Sequence, residues 1–168
     1  MPDDTTHTRV TTTDLTHLRR CIELAREALE AGDRPFGSLL VDPHGNVAFE
    51  DRNRVGGGDH TRHPEFAIAR WAAENMTPDE RANSRVYTTG EHCPMCSGAH
   101  AWVGLGPITY IMSARQLSSW LREWGAPQAP TAPIPITEVA PNVQAYGPVA
   151  ELVDEVRELQ ARQHGVSL

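Results

Sequence analysis

Lysine is absent from the 168 residues, so the 15 basic side chains are all arginine. They are scattered, and 22 acids outnumber them to give a formal charge of −7. Proteins that grip a phosphate backbone cluster their basic residues on one face. The balance here weighs against a long nucleic-acid footprint, though it leaves room for a local basic patch. No stretch approaches 18 uninterrupted apolar residues, which leaves no candidate membrane span. The first ten residues, MPDDTTHTRV, place acids where a secretory signal has a basic region and an apolar run. That predicts a cytoplasmic protein with an N-terminal tail over residues 1–12. Cysteines number three, few and odd, which argues against a disulfide framework. The composition, 39% apolar and 22% charged, is that of an ordinary globular chain. Its length suits one domain, over residues 13–168, with a full core.

Periodicity outlines the layers. Thr13 or Asp14 can cap a helix over Leu15–Glu30, with Leu18, Ile22 and Ala25 on one face and Cys21 as a small core residue beside them. Phe36–Val41 and Val47–Glu50 read as a hairpin around the turn DPHGN. Residues 55–63, VGGGDHTRH, read as a loop. Helices are predicted over 64–75, 93–103, 114–124 and 149–163, and strands over 85–89, 108–112 and 136–139. APQAPTAPIP, residues 126–135, holds four prolines and must be an extended connector. Strands alternating with helices predict an α/β layered domain with a partly parallel sheet.

The chemistry concentrates in two short stretches. In Cys93-Pro94-Met95-Cys96, the proline suits the first position of a helix and puts Cys93 at the N-cap. Residues three apart share a helical face, so both thiols point one way from a helix N-terminus, where the dipole favours thiolates. Taken alone, this spacing serves a redox pair or half of a zinc ribbon equally well. His63-Pro64-Glu65 repeats the construction: a ligand-type residue at a cap, proline next, then a carboxylate. One His and two Cys supply three zinc ligands and leave the fourth tetrahedral position open, the mark of a catalytic site. A ribbon needs a second ligand pair, and no second CxxC exists. A redox pair gives no role to His63 and Glu65.

HPE followed thirty residues later by CPMC resembles the H-x-E…P-C-x-x-C signature of the zinc deaminases. PFG at 35–37, Asn53, DHTRHPE at 59–65 and EHCPMCSGA at 91–99 look like the branch of bacterial guanine deaminases and tRNA adenosine deaminases. The resemblance implies a three-layer α/β/α cytidine deaminase-like fold with a central five-stranded mixed sheet. It also implies a homodimer, with a C-terminal segment (126–168) able to exchange between subunits. His63, Cys93 and Cys96 would hold Zn2+, and Glu65 would shuttle protons without ligating. Zinc lowers the pKa of bound water to roughly 7, and one carboxylate within ~2.6–3.2 Å of both atoms can take and return the proton. Asn53 would bond the base edge, its alternative being a turn residue. Phe36 and Trp102 could stack on the base or pack as plain core. Glu91 reads as a residue bonding loop amides, and His60 and His92 as surface residues or supports behind the ligands.

The chain departs from that branch in three ways. Pro64 replaces the usual alanine and removes a backbone N–H that related enzymes use to hold a ring substituent. His92 replaces proline. Acidic residues that would read a guanine edge are scarce in residues 113–140, where only Glu123 and Glu138 occur, and Glu138 is the candidate. Trp120 and Trp124, four apart, could shape the pocket or simply pack on the sheet. The reading is a zinc-dependent hydrolytic deaminase of a free nucleobase: guanine, or an analogue such as isoguanine, a cytosine analogue or a triazine. A tRNA-specific adenosine deaminase ranks below it, because the C-terminal helix is acidic rather than basic. A non-catalytic zinc scaffold ranks lower still, because it has no use for Glu65.

Overall fold

The computed structural model describes residues 10–168. Residues 1–9, most of the predicted tail, lie outside the described residues. Helix α1 spans Thr12–Glu30 and begins earlier than periodicity predicts. Thr11 accepts from the Asp14 N–H at 3.1 Å, and the Asp14 carboxylate accepts from the Thr11 N–H at 2.9 Å. A reciprocal cap needs a carboxylate or amide three residues on. Thr11 has one, and Thr13, three before Thr16, does not.

Strands β1 (Gly37–Val41) and β2 (Val47–Arg52) form the predicted hairpin. A 3-10 turn at Val55–Gly57 interrupts the next loop. Helix α2 (Pro64–Asn75) follows, then a short α3 (Pro78–Ala82). Beyond them come β3 (Arg85–Gly90), α4 (Pro94–Val103), β4 (Ile108–Met112) and α5 (Ala114–Glu123). The C-terminal part holds α6 (Ile136–Val139), β5 (Ala145–Tyr146) and α7 (Ala150–Gln163).

The sheet order is β2-β1-β3-β4-β5. β1 is antiparallel to both β2 and β3, whereas β3, β4 and β5 run parallel. This is the five-stranded mixed sheet, with helices on both faces. Side chains alternate across a strand, so neighbouring residues serve different cores. Leu39 joins Leu18, Ile22, Leu152 and Val156 beneath α1 and α7. Leu40 joins Ile68, Val86, Ile108 and Ile136 beneath α2 and α4. Each such buried side chain contributes roughly 1.5–3 kcal/mol. Gly37 lets α1 press onto β1, since a Cβ there would meet the Cys21 carbonyl and the Leu24 side chain.

Residues 136–139, predicted as a strand, form α6 instead, and the fifth strand is Ala145–Tyr146. Two apolar residues three apart fit one helical turn, and a two-residue strand carries no readable alternation. Ile136 is fully buried, and its N–H donates to Glu91 at 2.9 Å. The C-terminal segment packs on its own chain. α7 lies against α1 and β4, and the Gln160 amide donates to the Pro35 carbonyl at 3.0 Å. Among the described residues no helix is long and apolar enough to cross a membrane.

Candidate metal centre

α2 and α4 start side by side, each with proline as its first residue. Their N-caps, His63 and Cys93, are both extended, and neither side chain caps its own helix. The two side chains turn toward one point instead. His63 Nδ1 lies 3.6 Å from Cys93 Sγ and 3.6 Å from Cys96 Sγ. Tetrahedral zinc with bonds of ~2.3 Å to sulfur and ~2.05 Å to nitrogen sets those atoms about 3.6 Å apart. The spacing therefore fits the ion that this donor set prefers. All three ligand atoms fall within 4.8 Å of one another, and no fourth His, Cys, Asp or Glu among the described residues joins the group.

The two sulfurs behave as a pair. The bond from Cys96 pulls Cys93 down to about 4, with His63 assisting and burial opposing. The same bond, with burial, pushes Cys96 up. His63 is raised, first by its bond to Cys93. A divalent cation binds both sulfurs as thiolates, so metal uptake releases protons.

Glu65 follows at the second position of α2, 6% exposed, with Oε2 4.0 Å from Cys96 Sγ. Burial raises its carboxyl above the ordinary range, and Cys93 adds to this while His63 and Thr88 oppose it. Its other oxygen is cradled by the sheet. Ser38 Oγ on β1 stands 3.2 Å from Oε1, and Thr88 Oγ1 on β3 stands 3.0 Å from it. The two hydroxyls are 2.9 Å apart, and Thr88 also reaches the Gly90 carbonyl at 2.9 Å. Both are fully buried. A hydroxyl both donates and accepts, so Thr88 can donate to an ionised Glu65, or to Gly90 while accepting from a protonated one. Sequence reading missed Ser38 and Thr88. The available signal was polar residues on otherwise apolar strands, one on each side of the antiparallel pair Ser38↔Thr88.

A cavity of about 370 Å³ opens over this group. Phe36, Asn53, Pro64 and Glu65 line it. Asn53 is buried, and its Oδ1 accepts from the Val55 N–H at 3.1 Å. Another wall is the proline-rich connector, residues 128–133. It is pinned to α5, where Ser118 Oγ donates to Gln128 Oε1 at 2.8 Å and the Gln128 amide returns a bond to the Ser118 carbonyl at 3.3 Å.

Other predicted contacts are not brought together. Trp102 is 91% exposed and lines a separate hollow beside Leu105 and Val143. It sits on the outer side of α4, away from the face that carries Cys96. Glu138 is exposed, pairs with Arg115 at 3.3 Å and does not line the cavity. Glu123 likewise pairs with Arg157 at 3.1 Å. Trp120 and Trp124 stack 6.2 Å apart, and Trp120 packs on the core as a plain packing residue. Glu91 bonds loop amides, accepting from Ala114 and Ile136, each at 2.9 Å. His92 is buried edge-on against His100, and His60 stays exposed at the cavity rim.

One imidazole, two thiols and a carboxylate held back from them match the donor set that hydrolytic zinc centres use, here mounted on an α/β/α sheet. The chain belongs to the cytidine and deoxycytidylate deaminase family, whose zinc-binding region it matches over residues 11–112. It is 34% identical over 110 residues to a probable cytosine deaminase of Schizosaccharomyces pombe, covering 66% of this chain and 67% of that one. It is 37% identical over 83 residues to a tRNA-specific adenosine deaminase of Haemophilus influenzae, covering 49% and 48%. These alignments span about half to two thirds of the relatives' lengths. A solved guanine deaminase of Nitrosomonas europaea shares the fold, with a TM-score of 0.70 at 18% identity, over 94% of this chain and 87% of that one.

Proposed function

We propose that the protein is a zinc-dependent hydrolytic deaminase of a free nucleobase or close base analogue. One observation carries the small-substrate part of this reading. The cavity over His63, Cys93 and Cys96 is walled by the connector and, at about 370 Å³, lies near the low end of the ~300–1,000 Å³ of small-molecule sites. His63, Cys93 and Cys96 would hold the ion, which when bound would supply Lewis-acid activation of a water. On the oxygen that faces the sulfurs, Glu65 would take one proton of the attacking water and pass it to a ring nitrogen; it would then take the proton of the hydroxyl added to the ring carbon and pass it to the amine, which leaves as ammonia while the ring carbonyl forms. Burial favours this exchange by bringing the carboxyl closer to neutral working pH. Asn53 keeps its Nδ2 donors for the base edge, since its oxygen is engaged with Val55. Phe36 offers a ring face. Pro64 offers no N–H, so a ring substituent that needs that donor is not selected. A homodimer, with or without exchange of residues 126–168, accompanies this reading.

Ammonia release from a panel of free bases, base analogues, nucleosides and tRNA tests it. Turnover confined to free rings supports the proposal. The Haemophilus relative motivates the alternative, tRNA adenosine deamination. Turnover of tRNA alone, with steep salt dependence, would replace the first reading with the second.

A further inference from the structure

We infer that Arg34 determines specificity in this cavity, selecting aminated rings that also carry an oxygen acceptor for its guanidinium. The inference rests on the nucleobase reading above and names the chemistry that the substrate must bring. Arg34 lies between α1 and β1, and its backbone is held in place. The Phe36 N–H donates to the Arg34 carbonyl at 2.9 Å, and the next carbonyl, that of Pro35, is bonded by Gln160. The guanidinium sits 5.5 Å from the centroid of the Phe36 ring. Both residues line the cavity. A guanidinium over an aromatic face has its plane and direction restricted.

Among the described residues no acid answers this charge. Arg20, Arg52, Arg54, Arg85 and Arg157 each have a carboxylate within 4.0 Å. Among the described residues, Arg34 has neither a carboxylate nor a hydrogen-bond acceptor within reach of its side chain. The two acids that share the cavity are engaged elsewhere. Glu65 is held by Ser38 and Thr88, and both oxygens of Glu91 accept backbone N–H groups. The charge is felt instead at His63 and His164, where it opposes protonation. A zinc ion with two thiolates and a neutral imidazole is close to neutral, so the metal centre does not compensate it either. Burial alone pulls the guanidinium below its ordinary range.

A partly desolvated cation without a partner is unfavourable, and an occupant that brings an acceptor relieves it. The rigid fork of N–H donors matches planar oxygen groups, which a ring carbonyl or a ring carboxylate supplies. An aminated ring without such an oxygen leaves the guanidinium unanswered and now further from water.

Matched ring pairs that differ by one oxygen test this: cytosine against 4-aminopyrimidine, and guanine against 2-aminopurine. The protein is the zinc-loaded chain of residues 1–168, with Arg34→Ala and Arg34→Lys. Dissociation constants are measured by calorimetry on a Glu65→Ala background, and kcat and KM on the active protein. Arg34→Ala should lower the preference for the oxygen-bearing member on the order of 10–100-fold. The change should lie in Kd and KM rather than in kcat, with zinc content kept and partial rescue by Arg34→Lys. An equal effect on both members of a pair, or none, overturns the inference while leaving deamination standing. A preference restored only by 5′-monophosphates also overturns it, because the acceptor is then a phosphate. Absence of ammonia from every ring overturns the deaminase reading itself, and the Kd comparison still reports on Arg34.

Discussion

Replacing Thr88 by valine removes one hydroxyl and preserves shape, in a residue that is fully buried on β3. The lost bond is 3.0 Å long and ends on Oε1 of Glu65. Hydrogen bonds to charged groups are worth ~1.5–3 kcal/mol, which corresponds to about 10–150-fold in rate at ~1.36 kcal/mol per decade. Ser38 remains 3.2 Å from the same oxygen, so the lower half of that range is expected, ~10–30-fold. The loss should fall on kcat, because Thr88 does not line the cavity, and KM should stay within about twofold. Zinc content should be unchanged, since neither hydroxyl approaches the ligand set. Thr88→Ser should restore most of the rate, and Ser38→Ala combined with Thr88→Val should cost more than either alone. The assay is steady-state ammonia release, alongside metal analysis and a denaturation midpoint for each variant. A folded, zinc-loaded Thr88→Val protein with unaltered kcat would refute the cradle as the group that orients Glu65.

Further expectations follow from the same geometry. Glu65→Ala should keep about one zinc per chain and lose turnover by ~10²–10⁴-fold, whereas Cys93→Ala should lose the zinc, as elemental analysis will show. Gly106→Ala should destabilise the fold by about 1–3 kcal/mol in urea titrations, because its methyl would run into the Ser84 carbonyl and lie 2.8 Å from that of Ala82. Asp14 caps α1 and accepts from the Tyr87 hydroxyl at 2.6 Å. Burial works against its charge, but the bonds from Tyr87 and Thr11, with Arg85, leave its pKa below the ordinary 3.8. A depressed carboxylate contributes stability above its unfolded pKa and loses it as acid protonates the folded state. Asp14→Asn should therefore cost ~1–2 kcal/mol at pH 7, and the gap between variant and parent should narrow below about pH 4. A gap of constant size down to pH 3 would contradict this.

The candidate metal centre shows how a cap position can be freed to serve as a ligand position. Ser, Asp or Asn at a helix start normally bonds its own first turn. His63 and Cys93 leave that turn without a side-chain cap, and proline at the first position removes one donor that a cap would otherwise address. Both side chains are thereby released to face each other across α2 and α4. Burial of Glu65 beneath them serves the chemistry in the same way. It raises the carboxyl at some cost to stability, which the Ser38 and Thr88 bonds offset.

The sequence by itself determined the α/β layering and the two helix starts that carry His63, Cys93 and Cys96. These follow from local rules: period, proline position, and ligand types at caps with i, i+3 spacing. It also pointed to Glu91 as a bonding partner of loop amides. Only the tertiary structure decided what surrounds Glu65. Ser38 and Thr88 are fifty residues apart in the chain and meet only because β1 and β3 pair antiparallel in one register. The structure also removed Trp102 and Glu138 from the cavity, since which side of α4 faces the sheet, and which acid finds an arginine, depends on packing between distant segments. The connector's role is of the same kind: four prolines dictate an extended chain, but where that chain lies is decided by Gln128 bonding Ser118 on α5. Local patterns specify what each segment can offer, and long-range contacts select which offers share a site.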